Sequence, residues 1–419
     1  MNNKEVLFKF NFKQLSWLSY VSLLFWALIS LFTPEQYKIL SKISNFILIP
    51  CILIFLFHLL QSFAGRGKLY YKPNMLKNVG YVVFCCVLVA SESYTQLILM
   101  IRIFIVLLIL FFYLQYRNNL LINLKIKSIN LRLDLSELFY WLFFSFILIN
   151  LLLYGSLSID FYFPSIMDKN YTGILIYFFL MLSFHRKNIV GIFICFFYIL
   201  FMTQSRSLYG MIAIYFFIKI FRTRIYNILQ KVHFKNTFKQ FLLLFIGIVC
   251  LSSFWIQFVA VNPLSQYREG LNDGSNKMRF AANIYAEHQM LNNPQYFYKG
   301  LGDDIKEVFG IADEDTTLHT QFMGIRLVQP HNCFLNMMLK IGIFEAILYF
   351  WLLSIILDKI WSKNNMEYYL PYLINACFMH SLLNGAYLVI WSFILISTLD
   401  YAGEVKSCNY KIKMPFSIF

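Results

Sequence analysis

From one end to the other the chain is cut into apolar runs separated by short polar joints, and this pattern leaves few folds open. A helix that crosses the ~30 Å hydrocarbon core of a bilayer needs about 20 apolar residues, with a lower end near 17. Runs of that kind lie at 15–32, 45–61, 79–93, 95–114, 138–155, 171–184, 190–203, 207–220, 241–261, 333–357, 368–383 and 386–399. The expected fold is therefore an all-α integral membrane protein with about twelve transmembrane helices. Composition agrees: hydrophobic residues make up 59%, charged residues 14%, and the mean hydropathy is +0.61. The 46 Phe and 28 Tyr suit lipid-facing surfaces and the interfacial belts where aromatic rings settle.

The formal charge of +15 is not a nucleic-acid signal, because Lys and Arg are scattered in short clusters between apolar runs. Such clusters set orientation, since basic residues gather on cytoplasmic loops. With the N-terminus inside, roughly two-thirds of the 36 basic residues fall on inner segments, including Lys4/Lys9/Lys13, Arg186/Lys187 and Arg222/Arg224/Lys231. Both termini are then cytoplasmic. No small-residue cleavage site follows the first run, so that helix is expected to stay. The chain divides into helices 1–9 (residues 1–260), one large outer loop (261–331) and helices 10–12 with a cytoplasmic tail (332–419).

That loop is the only long polar interval, and it is acid-rich, with Asp303, Asp304, Asp313, Glu314 and Asp315. Residues 276–292 read as a helix that Asn293-Pro294 stops, and Gly300-Leu301-Gly302 reads as a turn. Arg279 lies in the first turn of that helix; Arg268 and Arg326 are the other loop arginines, candidates for holding an anion. Each can equally be charge decoration on a solvated surface. Arg206, in Thr203-Gln204-Ser205-Arg206-Ser207, stands alone among apolar neighbours on the outer side, where a cation is either a headgroup anchor or the partner of an anion. His331 sits between Pro330 and Asn332 where the loop re-enters an apolar run, and its ordinary pKa of about 6.5 suits it to proton transfer as well as to structure. Arg102 and Lys340 lie inside apolar runs, where ionisable groups are costly. In a straight helix Lys340 falls about 13 Å deeper than His331. The eight cysteines, Cys333 included, read as buried small hydrophobes, since no CxxC or metal-ligand spacing occurs.

No phosphate-binding GxxxxGK[ST], HExxH or His/Cys cluster is present, so neither a metal nor another cofactor is expected. A reaction on the outer face has no ATP or nucleotide sugar to draw on, and its donor must arrive activated, most simply as a lipid diphosphate. Three segments carry a resemblance. They are Thr203-Gln204-Ser205-Arg206 before an outer helix start, Arg279 with downstream Pro294 and Gly300-Leu301-Gly302, and Pro330-His331-Asn332 with nine residues between Asn332 and Gly342. Together these resemble the O-antigen ligase and polymerase superfamily of bacterial lipopolysaccharide biosynthesis; Glu345 stands where the ligase pattern has a second glycine.

The resemblance implies a C-type membrane glycosyltransferase of the bacterial inner membrane with a periplasmic active site. It would transfer a glycan from undecaprenyl-diphosphate-linked O-antigen without a metal, to the lipid A-core acceptor in a ligase or to the next lipid-linked repeat in a polymerase. Arg206 and Arg279 would hold the donor diphosphate, with Arg268, Arg326, Asn332 and Lys340 assisting. His331 would sit at the reacting centre, either taking the acceptor's proton or orienting a substrate. The short outer loop at 156–170 lacks Arg and favours the ligase. A membrane transporter or flippase, the reading from another class, expects repeated halves and charges at mid-membrane, and no repeat is found.

Overall fold

The structure, a computed structural model, describes residues 12–34, 37–49, 51, 53, 121–126, 129–154, 162–166, 168–203, 205–231, 282, 283, 286, 287, 290, 292–301, 330–343, 345–347, 349, 350, 353, 365–379, 382, 383 and 385–398. These residues are mostly helical. The first helices are α1 (Phe12–Phe32) and α2 (Lys38–Ser44), with a 3-10 turn at Asn45–Leu48. Next come α3 (Leu135–Tyr154), α4 (Lys169–Arg186), α5 (Ile189–Phe197) and α6 (Arg206–Lys231). The last are α7 (Pro294–Lys299), α8 (Cys333–Ile341), α9 (Met366–Asn375) and α10 (Gly385–Ser397). The apolar runs at 15–32, 138–155, 171–184, 190–203 and 207–220 coincide with helices, as their continuous hydrophobicity requires. About twelve membrane spans are expected. Among the described residues one helix, Glu137–Tyr154, is both long and apolar enough to cross a bilayer, and the runs at 79–93, 95–114 and 241–261 lie outside the described residues.

One exception to the helical expectation is an antiparallel hairpin of β1 (Leu121–Ile126) and β2 (Ile129–Asp134). Its register pairs Ile122 with Leu133, Leu124 with Leu131, and Ile126 with Ile129, while Asn123 meets Arg132 and Lys125 meets Asn130. Apolar residues thus alternate with polar ones at period two on both strands, which is a strand pattern and not a helix pattern.

The core is built around α4. Every residue from Tyr171 to Ser183 is buried, and a helix buried all round must be enclosed by others. Phe179 packs on Tyr140, Phe143 and Phe144 of α3, Phe178 on Tyr372 of α9, and Tyr171 on Tyr387 of α10. Gly173 lets α6 approach, since a Cβ there would lie 3.1 Å from a Leu208 methyl carbon. Phe32 of α1 meets Phe143 and Phe146 of α3 and Phe163.

Between α4 and α5 the chain reverses on two residues. Lys187 adopts a left-handed conformation (φ 55°), its N–H donates to Phe184 O, and the Asn188 N–H donates to Ser183 O. This is the Schellman arrangement that satisfies a helix's last carbonyls. The Asn188 side chain immediately caps α5 by accepting the Gly191 N–H at 3.1 Å, and its amide nitrogen donates to the Tyr140 hydroxyl.

Candidate functional site

Three places bear residues singled out in the sequence. The first is the joint between α5 and α6. Helix α5 ends in a π-helical turn at Tyr198–Thr203, a form that recurs at functional sites, and Arg206 is the first residue of α6. Before it, the buried Ser205 hydroxyl donates to Asn170 Oδ1 at 2.7 Å and lies 2.9 Å from Ser207 Oγ. Asn170 belongs to the first turn of α4, which Asp168 caps by accepting the Asn170 and Tyr171 N–H groups at 2.6 and 3.2 Å. The start of α6 is therefore tied to the start of α4.

The second place is His331-Asn332. Asn332 is buried and caps α8, its Oδ1 accepting the Phe334 and Leu335 N–H groups at 2.9 and 3.2 Å. His331 directly precedes this cap, half-buried, with Nδ1 shielded from solvent. The run at 333–357 is expected as one straight span, and the structure corrects that. α8 ends at Ile341, Gly342 takes φ 81°, and helical residues at 343, 345–347, 349, 350 and 353 form a second arm. In a continuous helix Phe334 and Phe350 would stand about 24 Å apart; here their ring centroids are 4.9 Å apart. The two arms fold back on each other. Lys340 consequently belongs to the tip of a helical hairpin and not to the interior of a straight span. Glu345 is buried in the first turn of the second arm. There the Ala346 N–H donates to Gly342 O at 3.0 Å, which makes Glu345 the third residue of a helix start, a position that favours a carboxylate.

The third place is the loop turn, and it meets the hairpin tip. Pro294 opens α7, as proline is suited to do. At its end Gly300 has φ 73°, and the Leu301 N–H donates to Leu339 O at 2.8 Å. A Cβ on Gly300 would collide with the Gly342 nitrogen and come within 2.6 Å of Lys340 O, and a Cβ on Gly342 would collide with Tyr298 O. Two glycines that the sequence shows only as separate landmarks are thus one backbone-to-backbone contact. Neither tolerates a side chain, both because of the contact and because of the positive φ.

Residue by residue, the structure joins Gly300 to Gly342 and Lys340, and Ser205, the chain neighbour of Arg206, to Asn170. Tyr372 of α9 packs on Phe178 of α4 and Trp391 of α10, and its hydroxyl donates to Leu382 O. Arg279, Arg268 and Arg326 lie outside the described residues, as does the expected start of the 276–292 helix. Ala282, Ala286 and Met290, spaced four apart, are buried in its described part, as is Asn283. Sequence reasoning passed over Asp168 as a helix cap and Cys333 as an anchor. The Asp168 signal was legible, an Asp directly before an apolar helical run. No family model matches this chain, and neither a curated protein nor a solved structure matches it.

Proposed function

We propose that this protein is an O-antigen ligase that transfers a glycan from undecaprenyl diphosphate to lipid A-core at the periplasmic face of the bacterial inner membrane. One observation carries the reading: the glycine turn of the polar loop and the glycine that follows His331-Asn332 by a fixed spacing meet in space, so two of the three motif segments form one unit. The twelve-span topology belongs to this proposal, as do the cytoplasmic termini.

The chemistry fits the residue types. A diphosphate leaving group gains negative charge as the glycosidic bond breaks, and guanidinium groups stabilise it by forked, charge-assisted hydrogen bonds in a low-dielectric site. Arg206 and Arg279 supply that clamp, with Arg268, Arg326 and Lys340 as further cations, and no metal is required. His331 accepts the proton of the attacking acceptor hydroxyl, a role worth about 10²–10⁴-fold, and direct displacement inverts the anomeric carbon.

The test is incubation of the purified protein in EDTA with lipid-linked glycan and lipid A-core. Product on the core supports ligation without a metal. Lengthening of the lipid-linked glycan in place of core attachment would establish the polymerase instead, and full transfer by well-folded Arg206→Ala and Arg279→Ala variants would remove the diphosphate clamp.

A further inference from the structure

The residue next to the Asn332 cap is held more firmly than a buried small hydrophobe needs to be. The Cys333 N–H donates to Ala376 O at 2.9 Å, while its Sγ accepts the Leu382 and Leu383 N–H groups at 3.0 and 3.2 Å. The carbonyls of the same two residues are held from the other side: the Tyr372 hydroxyl donates to Leu382 O and the Tyr349 hydroxyl to Leu383 O. Cys333, Tyr349, Tyr372, Leu382 and Leu383 are all buried. The turn at 382–383, between α9 and α10, has both N–H groups and both carbonyls satisfied by side chains of α8, its second arm and α9.

Buried backbone groups that lack a ladder partner need such partners, because an unmade hydrogen bond there is costly. Cys333 is thus fixed to the bundle through its backbone and its side chain together. His331 lies two residues away, at most about 7 Å along the chain. We propose that Cys333 is a positioning residue for His331: by binding the 382–383 turn through its thiol, it sets where the imidazole stands. The proposal rests on the assignment of His331 to the reacting centre, and its geometric half is testable without that assignment.

A misplacement of about 1 Å at a reacting group costs on the order of 100-fold in rate. Cys333→Ala removes the acceptor, and Cys333→Ser restores one. In transfer from a polyprenyl-diphosphate-linked glycan, Cys333→Ala is expected to lower kcat by about 10- to 100-fold with donor KM nearly unchanged, and Cys333→Ser to recover most of it. In parallel, the rate of His331 carbethoxylation by diethylpyrocarbonate, followed by mass spectrometry across pH, reads the imidazole's environment without any substrate. The Ala variant is expected to shift that profile and the Ser variant to return it. Tyr372→Phe frees Leu382 O from the same turn, so it should act in the same direction and less than additively with Cys333→Ala. It decides the matter if Cys333→Ala does not fold. Wild-type kcat and an unchanged His331 profile in Cys333→Ala or Tyr372→Phe would overturn the proposal. A shifted profile in a protein that transfers no glycan would leave the positioning role standing and remove the proposed function.

Discussion

Asp168 and Asn332 do the same work at two helix starts, each accepting two backbone N–H groups that the helix itself leaves unpaired. Replacing either by alanine should cost about 1 kcal/mol. Thermal unfolding in detergent, followed by circular dichroism, measures this. Activity separates the two: Asp168→Ala is expected to be active below its lower melting temperature, and Asn332→Ala is not, because its cap directly follows His331. Lys187 offers the opposite test. A left-handed conformation is costly for a residue with a Cβ, by roughly 1 kcal/mol, so Lys187→Gly should raise the melting temperature. At this scale the sequence was legible where chemistry is local. A cap is a matter of one side chain and the next two amides, whereas the role of Cys333 depends on residues about 50 positions away and leaves no local trace.

At the scale of elements the hairpin formed by α8 and its second arm is the instructive case. Hydropathy over 333–357 is continuous, and a continuous apolar run looks the same whether the helix is straight or folded in two. What divides it is the backbone at Gly342, which takes a positive φ and abuts Tyr298. Gly300→Ala and Gly342→Ala should each destabilise through overpacking, about 1–3 kcal/mol, and loosen the loop from the hairpin. Faster proteolysis within 294–301, with the rest of the bundle protected, is the expected signature. Equal cleavage rates in wild type and variants would mean the contact does not hold the loop. The helices α4 and α5 were readable because their boundaries coincide with basic or polar joints, whereas α6 runs on to Lys231, eleven residues past the apolar run at 207–220.

At the scale of the whole molecule, two sets of polar ties among the described residues bear on the expected topology. Arg186 pairs with Glu137, and Arg222 with Glu367 at 3.3 Å, among segments expected inside. Ser205 with Asn170, and the Ser165 hydroxyl donating to Leu31 O at 2.6 Å, join segments expected outside. A membrane-impermeant maleimide applied to intact spheroplasts should accordingly label Tyr162→Cys and spare Arg224→Cys. Both positions are exposed, so the reverse pattern would invert the topology. Glu367, one residue ahead of the run at 368–383, has its pKa raised above the ordinary carboxylate value by burial, against the opposing pull of Arg222 and Lys219. A raised value means that the fold favours the protonated form. Its contribution is present at low pH and is lost as pH rises through the raised value. Glu367→Gln should therefore flatten the decline in melting temperature between acidic and neutral pH. The pairing of Arg222 with Glu367, 145 residues apart, left no trace in the sequence and required the fold.

The two-residue reversal at Lys187 and Asn188 also bears on how the chain tolerates change in length. Asn188 closes one helix through its backbone and opens the next through its side chain, so the joint contains no slack. A single inserted residue would have to bulge out or turn α5 by about 100° about its own axis, carrying Gly191 away from Ser183 and the exposed Phe193 toward the core. At this point even one added residue acts as a core mutation.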